Sequence, residues 1–274
     1  MSIPVSFEGL KKELPAGVRR LGWGLLLIGI AGTALGYVLD PRRMAFDNVV
    51  GYLFLTSVAV GSIFLVALEY IAGAVWSTPI RRVNEFLGAL VLLLPLVALP
   101  LFLHLHDLFH WMHEDAVAAD KVLAAKSPYL NANFFFIRFA VMFIVWSFFH
   151  FFFTRNSTKQ DGTKDPRLTT VNIRLGAVFL PVFAITITLT AVDWAMSLEP
   201  HWASTIFGVY YFAGTVLASI SAATFVIVRL YEKGYFPKLQ RDSFYSLGAL
   251  MFAFINFWAY IAFSQFLLIW YANL

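Results

Sequence analysis

The sequence predicts an all-α, polytopic transmembrane helix bundle, and three observations carry that prediction. Hydrophobic residues make up 60% of the 274 residues and charged ones 13%, at a mean hydropathy of +0.74, well outside the composition of soluble domains. Seven apolar segments reach the ~20 residues that a helix needs to cross a bilayer. Basic residues, finally, collect on the loops of one side.

The segments are Leu21–Leu39, Val49–Trp76, Phe86–Leu105, Phe134–Phe153, Leu175–Met196, Ser204–Leu230 and Phe244–Leu274. The first is too long for the apolar core of a secretory signal and is followed by Asp40-Pro41 rather than a cleavage site. Its Gly29, Gly32 and Gly36, with Gly61 in the second, permit close helix approach. Pro95 and Pro100 in the third and Pro181 in the fifth allow kinks. The seventh ends in Trp270-Tyr271, aromatics that suit a membrane interface. Residues 1–20 form a tail, and 21–274 form the bundle, with a His-rich outer loop at 104–133.

Fifteen basic residues fall on the side of the N-terminus, among them Lys11, Lys12, Arg81, Arg82, Arg155, Arg229, Lys233 and Lys238. The other five are Arg42, Arg43, Lys121, Lys126 and Arg138. By the positive-inside rule the N-terminus is cytoplasmic, and in a bacterial cell the membrane would be the inner one. This asymmetry accounts for the net charge of +4 without a nucleic-acid partner. With no Cys, disulfides, thiolate metal sites and Cys-ligated iron–sulfur clusters on this chain are excluded.

Ionisable groups at membrane depth are costly and mark sites of chemistry. The segment Ala191–Trp202 holds Asp193, Glu199 and His201 between Trp194 and Trp202. Thr186, Thr190, Asp193 and Ser197 follow one helical face. Threonine hydroxyls can bond their own helix backbone, which accounts for Thr186 and Thr190 but not for Asp193. Arg138, at matching depth, is a candidate partner, and the carboxylate is either paired or proton-exchanging. Glu69 is a second acid, two turns from the opposite end of the second segment, where snorkelling can bring it to the interface. Acids at opposite depths suggest two half-channels. Tyr211, Thr215 and Ser219 on the sixth segment, with Asn256, Tyr260, Ser264 and Gln265 on the seventh, would then order water between them or bond helix to helix.

His104, His106, His110 and His113 cluster after the third segment. In a helix, His106, His110 and His113 share a face, a spacing that can hold a metal, with Asp107, Glu114 and Asp115 nearby. The commoner role of such a segment is interfacial packing against headgroups or a partner, and no metal is expected. A transmembrane haem b needs two His at one depth. His150 lies near the opposite end from the others, so no haem is expected in this chain. No phosphate-binding loop, nucleophile elbow or His-Glu-x-x-His is present.

Four stretches carry a resemblance: Ala191–Tyr211 (AVDWAMSLEPHWASTIFGVYY), Gly73–Arg82 (GAVWSTPIRR), Tyr129–Trp146 (opening YLNANFFFIR) and Phe263–Leu274 (FSQFLLIWYANL). In these the chain resembles the NrfD-like membrane subunits of respiratory complexes, and within them the ActF-like subunits of bacterial alternative complex III. Members of that group are longer, with about ten helices, so an eighth would be expected to follow the seventh. The resemblance implies a non-redox subunit of a quinol-oxidising complex, not an enzyme alone. Its partners would be a sister NrfD-like subunit (the better candidate for the quinol site), an iron–sulfur protein, a multihaem cytochrome c and small membrane subunits. Haem c and iron–sulfur clusters would sit in those partners and no redox cofactor in this chain, with quinone a candidate ligand beside lipids. Glu69, Asp193, Thr186, Thr190, Tyr260 and Asn256 become candidates for a proton path. Arg138, Glu199, His201, Trp202, His106 and His110 become candidates for quinone contact or partner docking. The alternatives are a secondary transporter with intramembrane acids on its ion path, expected to show inverted repeats, and a membrane enzyme using the His cluster.

Overall fold

The computed structural model describes residues 16–236 and 239–272. Lys11, Lys12, Lys238 and most of the N-terminal tail lie outside the described residues, as do 273–274 at the end of the seventh segment. Among the described residues the chain is helices, turns and connecting segments, with no strand. Seven helical spans are long and apolar enough to cross a membrane, so the protein is an all-α, multi-pass membrane bundle.

The first span is α1 (Ala16–Leu39), and α2 (Pro41–Ala72) follows after one residue. The sequence marks the start of α2 clearly. The Asp40 side chain accepts a hydrogen bond from Arg43 N at 3.0 Å, and Pro41 opens the first turn, which needs no donor there. Gly73 ends it at φ 61°, in the left-handed region that glycine enters without penalty. Helix α2 starts well before Val49 because the polar turn at Arg42, Arg43, Asp47 and Asn48 is helical too.

The third span is interrupted. A short 3-10 turn at 78–80 leads into α3 (Arg81–Gly88), a second 3-10 stretch at 89–93, and α4 (Leu94–Leu103). Pro95 cannot donate to the carbonyl four residues back, and the turn ahead of it tightens, with Leu94 N bonding Val91 O. Pro181, by contrast, lies inside a continuous helix. The long connection between the third and fourth spans holds the short helices α5 (Leu105–Leu108), α6 (Glu114–Ala119) and α7 (Lys121–Lys126). The remaining spans are α8 (Ala132–Thr163), α9 (Arg167–Trp194), α10 (Phe207–Glu232) and α11 (Arg241–Ala272). Polar turns at 154–163 carry α8 ten residues past its apolar segment.

Helix α2 is the axis of the bundle. From Thr56 to Ala67 it is buried on every side, enclosed chiefly by α3, α4, α9 and α10. Lipid offers apolar side chains as much as a helix does, so close packing, not dehydration, holds such helices together. Gly61 shows how close. A Cβ there would stand 2.6 Å from Ser219 Oγ and 2.7 Å from the Thr215 carbonyl oxygen. Beside it runs a hydroxyl seam. Ser57 Oγ lies 3.1 Å from Tyr211 OH and 3.2 Å from Thr215 Oγ1, and Tyr211 OH donates to Leu53 O at 3.0 Å. The seam of the sixth span therefore faces the second span and not the seventh.

At the loop-rich end, Trp194 is 1% exposed within an aromatic cluster, its centroid 4.5 Å from Tyr52 and 5.1 Å from Phe135. Midway, the rings of Phe64, Phe179, Phe183 and Phe212 meet in stacked, tilted and edge-on contacts across α2, α9 and α10. The flanking helices contrast with this interior. Helix α1 has no buried residue and α11 only three.

Gly61→Ala should lower the midpoint of thermal unfolding in detergent by an amount equivalent to about 1–3 kcal/mol. Gly29→Ala, where a Cβ meets nothing within 4 Å, should leave it unchanged or raise it.

Candidate functional site

Each end of the bundle holds a buried acid paired with an arginine. At the loop-rich end, Asp193 comes from the last turn of α9 and Arg138 from the second turn of α8. Arg138 Nε donates to Asp193 Oδ2 at 2.8 Å, with side chains 6% and 1% exposed. Tyr129 OH donates to the other carboxylate oxygen at 2.9 Å, and its carbonyl accepts from Arg138 Nη1 at 2.9 Å. The guanidinium also lies over the Tyr129 ring at 3.9 Å and the Phe134 ring at 4.4 Å, where a cation is attracted to the ring face. Burial, then the neighbouring carboxylate, pushes the Tyr129 phenol above its ordinary range, so it stays a donor. The turn that presents Tyr129 is fixed by Asn131, whose side chain caps α8 by accepting from Phe134 N at 2.9 Å.

The rest of the α9 stripe is internal. Thr190 donates to Thr186 O at 2.8 Å, Thr186 donates to Val182 O at 2.9 Å, and Ser197 donates to Asp193 O at 2.6 Å. Thr186 Oγ1 in addition accepts from Trp146 Nε1 at 2.9 Å. These hydroxyls satisfy their own helix, and Thr186 also holds the Trp146 side chain.

At the basic end, Glu69 Oε1 receives Arg81 Nε at 2.7 Å and lies 2.6 Å from Arg81 Nη2. Arg81 Nη1 donates to Tyr70 OH at 2.9 Å. Glu69 is 5% exposed, so an arginine and not snorkelling to water compensates it. The turn through Gly73 brings α3 back beside the end of α2, which puts Arg81 within reach. A cavity of about 160 Å³ adjoins Glu69 between α2, α3, α10 and α11, with Leu65, Ser77, Asn84, Ile220 and Leu250 in its walls. Glu69 Oε2 and Asn84 Oδ1 are buried with no hydrogen-bond partner. Beyond Asn84, Glu85 is buried and bonded to Arg82, which also reaches Asp161. Gly88 leaves room for His150, whose Nδ1 would stand 3.1 Å from a Cβ there.

Asn256 and Tyr260 do not join either site. Both are exposed on the outward face of α11, and Asn256 bonds Phe252 O of its own helix at 2.7 Å. Asn256 and Tyr260 share a helical face, and it is an exposed one, while Ser264 is half-buried. Gln265 instead bonds Ser204 at the start of the sixth span.

The loops over the Asp193–Arg138 pair close through two latches. His201 bonds Asp120, and Lys126 donates to Pro200 O. Beneath them Trp111 Nε1 donates to Ser197 O at 3.1 Å. Glu199, His201 and Trp202 are exposed. The helix expected through the His cluster is broken at Phe109 and His113, both extended. His106, His110 and His113 nonetheless meet, with ring centroids 5.3 Å and 6.3 Å apart along the chain of three. They line an open groove of about 390 Å³ with Arg42, Asp107 and Glu199. Among the described residues, no three His, Asp or Glu side chains are arranged to hold a metal ion.

Compared with known proteins, the chain matches no protein-family model, and no curated protein matches it.

Two expectations follow. Arg138→Leu should destabilise the detergent-solubilised protein by about 3–5 kcal/mol, because it strands a buried carboxylate. Arg138→Leu with Asp193→Leu should recover most of that loss on the same melting curve. The second concerns pH. The His201 bond and the Val122 amide hold the Asp120 carboxyl below its ordinary range. A carboxyl lowered by folding stabilises above the ordinary aspartate value of about 3.9 and loses that contribution as pH falls through the folded value. Hydrogen exchange of residues 121–124 and 199–202 should therefore be steady from neutral pH down to about 5 and quicken below about 4, relative to the intrinsic rate. Asp120→Asn should show the fast pattern throughout.

Proposed function

We propose that the chain is an NrfD-like membrane subunit of a quinol-oxidising respiratory complex of the alternative complex III type, in the bacterial inner membrane with its N-terminus cytoplasmic. The observation that carries the reading is the overlap of two features. Ala191–Tyr211, the most specific segment of the resemblance, contributes Asp193 to the buried Arg138–Tyr129–Asp193 cluster and supplies the latched loop above it. Electrons would pass through haem c and iron–sulfur clusters of partner subunits, with no redox cofactor in this chain. The exposed His, Asp and Glu side chains of the outer face suit docking of extrinsic partners. The apolar faces of α1 and α11 suit a sister NrfD-like subunit, small membrane subunits or lipid.

In this reading the two acid–arginine pairs are the ends of proton-conducting half-channels. Asp193 exchanges protons with the outer face through Tyr129, and Glu69 with the opposite face through the cavity that it lines. That cavity has room for a few waters, each occupying about 30 Å³ of liquid. The phenylalanines between the pairs keep the halves apart, and the α2–α10 hydroxyl seam runs alongside them. An arginine at each acid holds the carboxylate charged until a proton arrives, and release of the arginine accompanies its uptake. A quinone headgroup near Arg138 is a further use of the outer cluster.

The test is gentle extraction of the native protein with a visible spectrum and mass spectrometry of what co-purifies. Haem c bands, an iron–sulfur protein and a second NrfD-like chain are expected. A colourless protein that purifies alone would overturn the reading in favour of a transporter. In the reconstituted complex, Asp193→Asn should reduce proton translocation severalfold while quinol oxidation continues. Unchanged translocation would remove Asp193 from the path.

A further inference from the structure

A further groove, lined by none of the four residues of the two acid–arginine pairs, lies at the basic end. It spans about 530 Å³ between α3 and α10, bordered by Val18 of α1. Val83, Phe86, Phe225, Val226 and Leu230 form its walls, and Arg82, Arg229 and Lys233 stand along it. Phe86 is 72% exposed and Phe225 63%, so the apolar wall opens toward the bilayer side of the bundle. The cations are not equally engaged. Arg82 is held by Glu85 and Asp161. Arg229 has a single ion pair, to Glu232 at 3.4 Å, between side chains 63% and 56% exposed. Lys233 makes no ion pair among the described residues. Arg229 and Lys233 do offset the negative end of α10, but that role calls for no groove of aromatic side chains beside them.

An apolar trough that opens to lipid and ends at two lightly engaged cations is complementary to one kind of molecule: an amphiphile with an anionic head and an acyl chain. The groove sits where the last turns of α10 leave the apolar zone, the level of headgroups. Basic pockets between transmembrane helices at this level take anionic lipid heads. A soluble acidic peptide would satisfy the cations but not the wall of Phe86 and Phe225. The geometry points to a structural binding site for an anionic phospholipid, its phosphate on Arg229 and Lys233 and an acyl chain along Phe86, Phe225 and Val226. This inference needs only the membrane-spanning fold and is independent of the respiratory reading.

The full chain, extracted from its native membrane, is delipidated and placed in nanodiscs of phosphatidylcholine with or without phosphatidylglycerol. Retained lipid is counted by mass spectrometry, and unfolding is followed by heating. Phosphatidylglycerol should be retained over phosphatidylcholine and should raise the melting midpoint. Arg229→Gln with Lys233→Gln should weaken that retention by roughly fivefold for each cation removed, about 1 kcal/mol apiece. A control, Arg155→Gln with Arg174→Gln, removes the same charge from exposed positions on α8 and α9 and should leave retention unchanged. Val226→Trp, which fills the trough and keeps both cations, should also reduce retention. Equal retention of the two lipids, or an equal loss in the control, would overturn the site. So would full retention in Val226→Trp.

Discussion

Asp193 sits 1% exposed in an apolar bundle, and the loop-rich end of the protein is organised around making that tolerable. An unpaired carboxylate in such a place costs several kcal/mol, so the fold must deliver a cation and a second donor to it. Arg138 requires α8 to begin at the depth where α9 ends. Tyr129 requires the 120s loop to turn inward ahead of the Asn131 cap. Once both are in place, the carbonyl of Tyr129 is itself held by Arg138, and the carbonyls of Asp193 and Ser197 are held by Ser197 and Trp111. The packing of Trp194 against Tyr52 and Phe135 depends on the same register. One polar contact thus fixes the mutual depth of three spans that lipid-like side chains alone would allow to slide.

The basic end solves the same problem with less machinery. Glu69 and Arg81 lie on either side of one short turn, and Tyr70 completes the cation's environment. The difference is in what remains unsatisfied. Both oxygens of Asp193 are engaged, whereas one oxygen of Glu69 is buried without a hydrogen-bond partner in a residue that lines an apolar cavity. Each pair therefore keeps one buried polar atom without a partner, Arg138 Nη2 at the loop-rich end and Glu69 Oε2 at the basic end, with α2 running between them and α10 packed against it at Gly61.

The fold was largely legible in the sequence because membrane burial imposes long apolar runs that few other constraints produce. The ends of the spans were less legible, since hydropathy does not register helical turns made of polar residues, as at Arg42–Asn48 and at 154–163. The pairing of Arg138 with Asp193 could be read from matching depth. The pairing of Glu69 with Arg81 was hidden because Arg81 reads as one more loop charge, although the short Gly-Pro turn between them is the signal. Tyr129 and Asp120 gave no local signal: their partners lie 64 and 81 residues away, contacts that only the closed bundle creates. The exposure of Asn256 and Tyr260 was hidden for a related reason. Helical spacing shows which residues share a face but not which way that face turns.

In the function proposed, Asp193 changes protonation while a respiratory complex oxidises quinol, using the carboxylate that Arg138 and Tyr129 hold. Infrared difference spectroscopy of the purified complex, before and during quinol addition, addresses it directly. A carboxyl band that appears on turnover, shifts in deuterium oxide and is absent in Asp193→Asn is the predicted result. A turnover spectrum with no carboxyl change at Asp193, in a complex with normal quinol oxidation, would contradict the account and leave the pair as a purely structural tie.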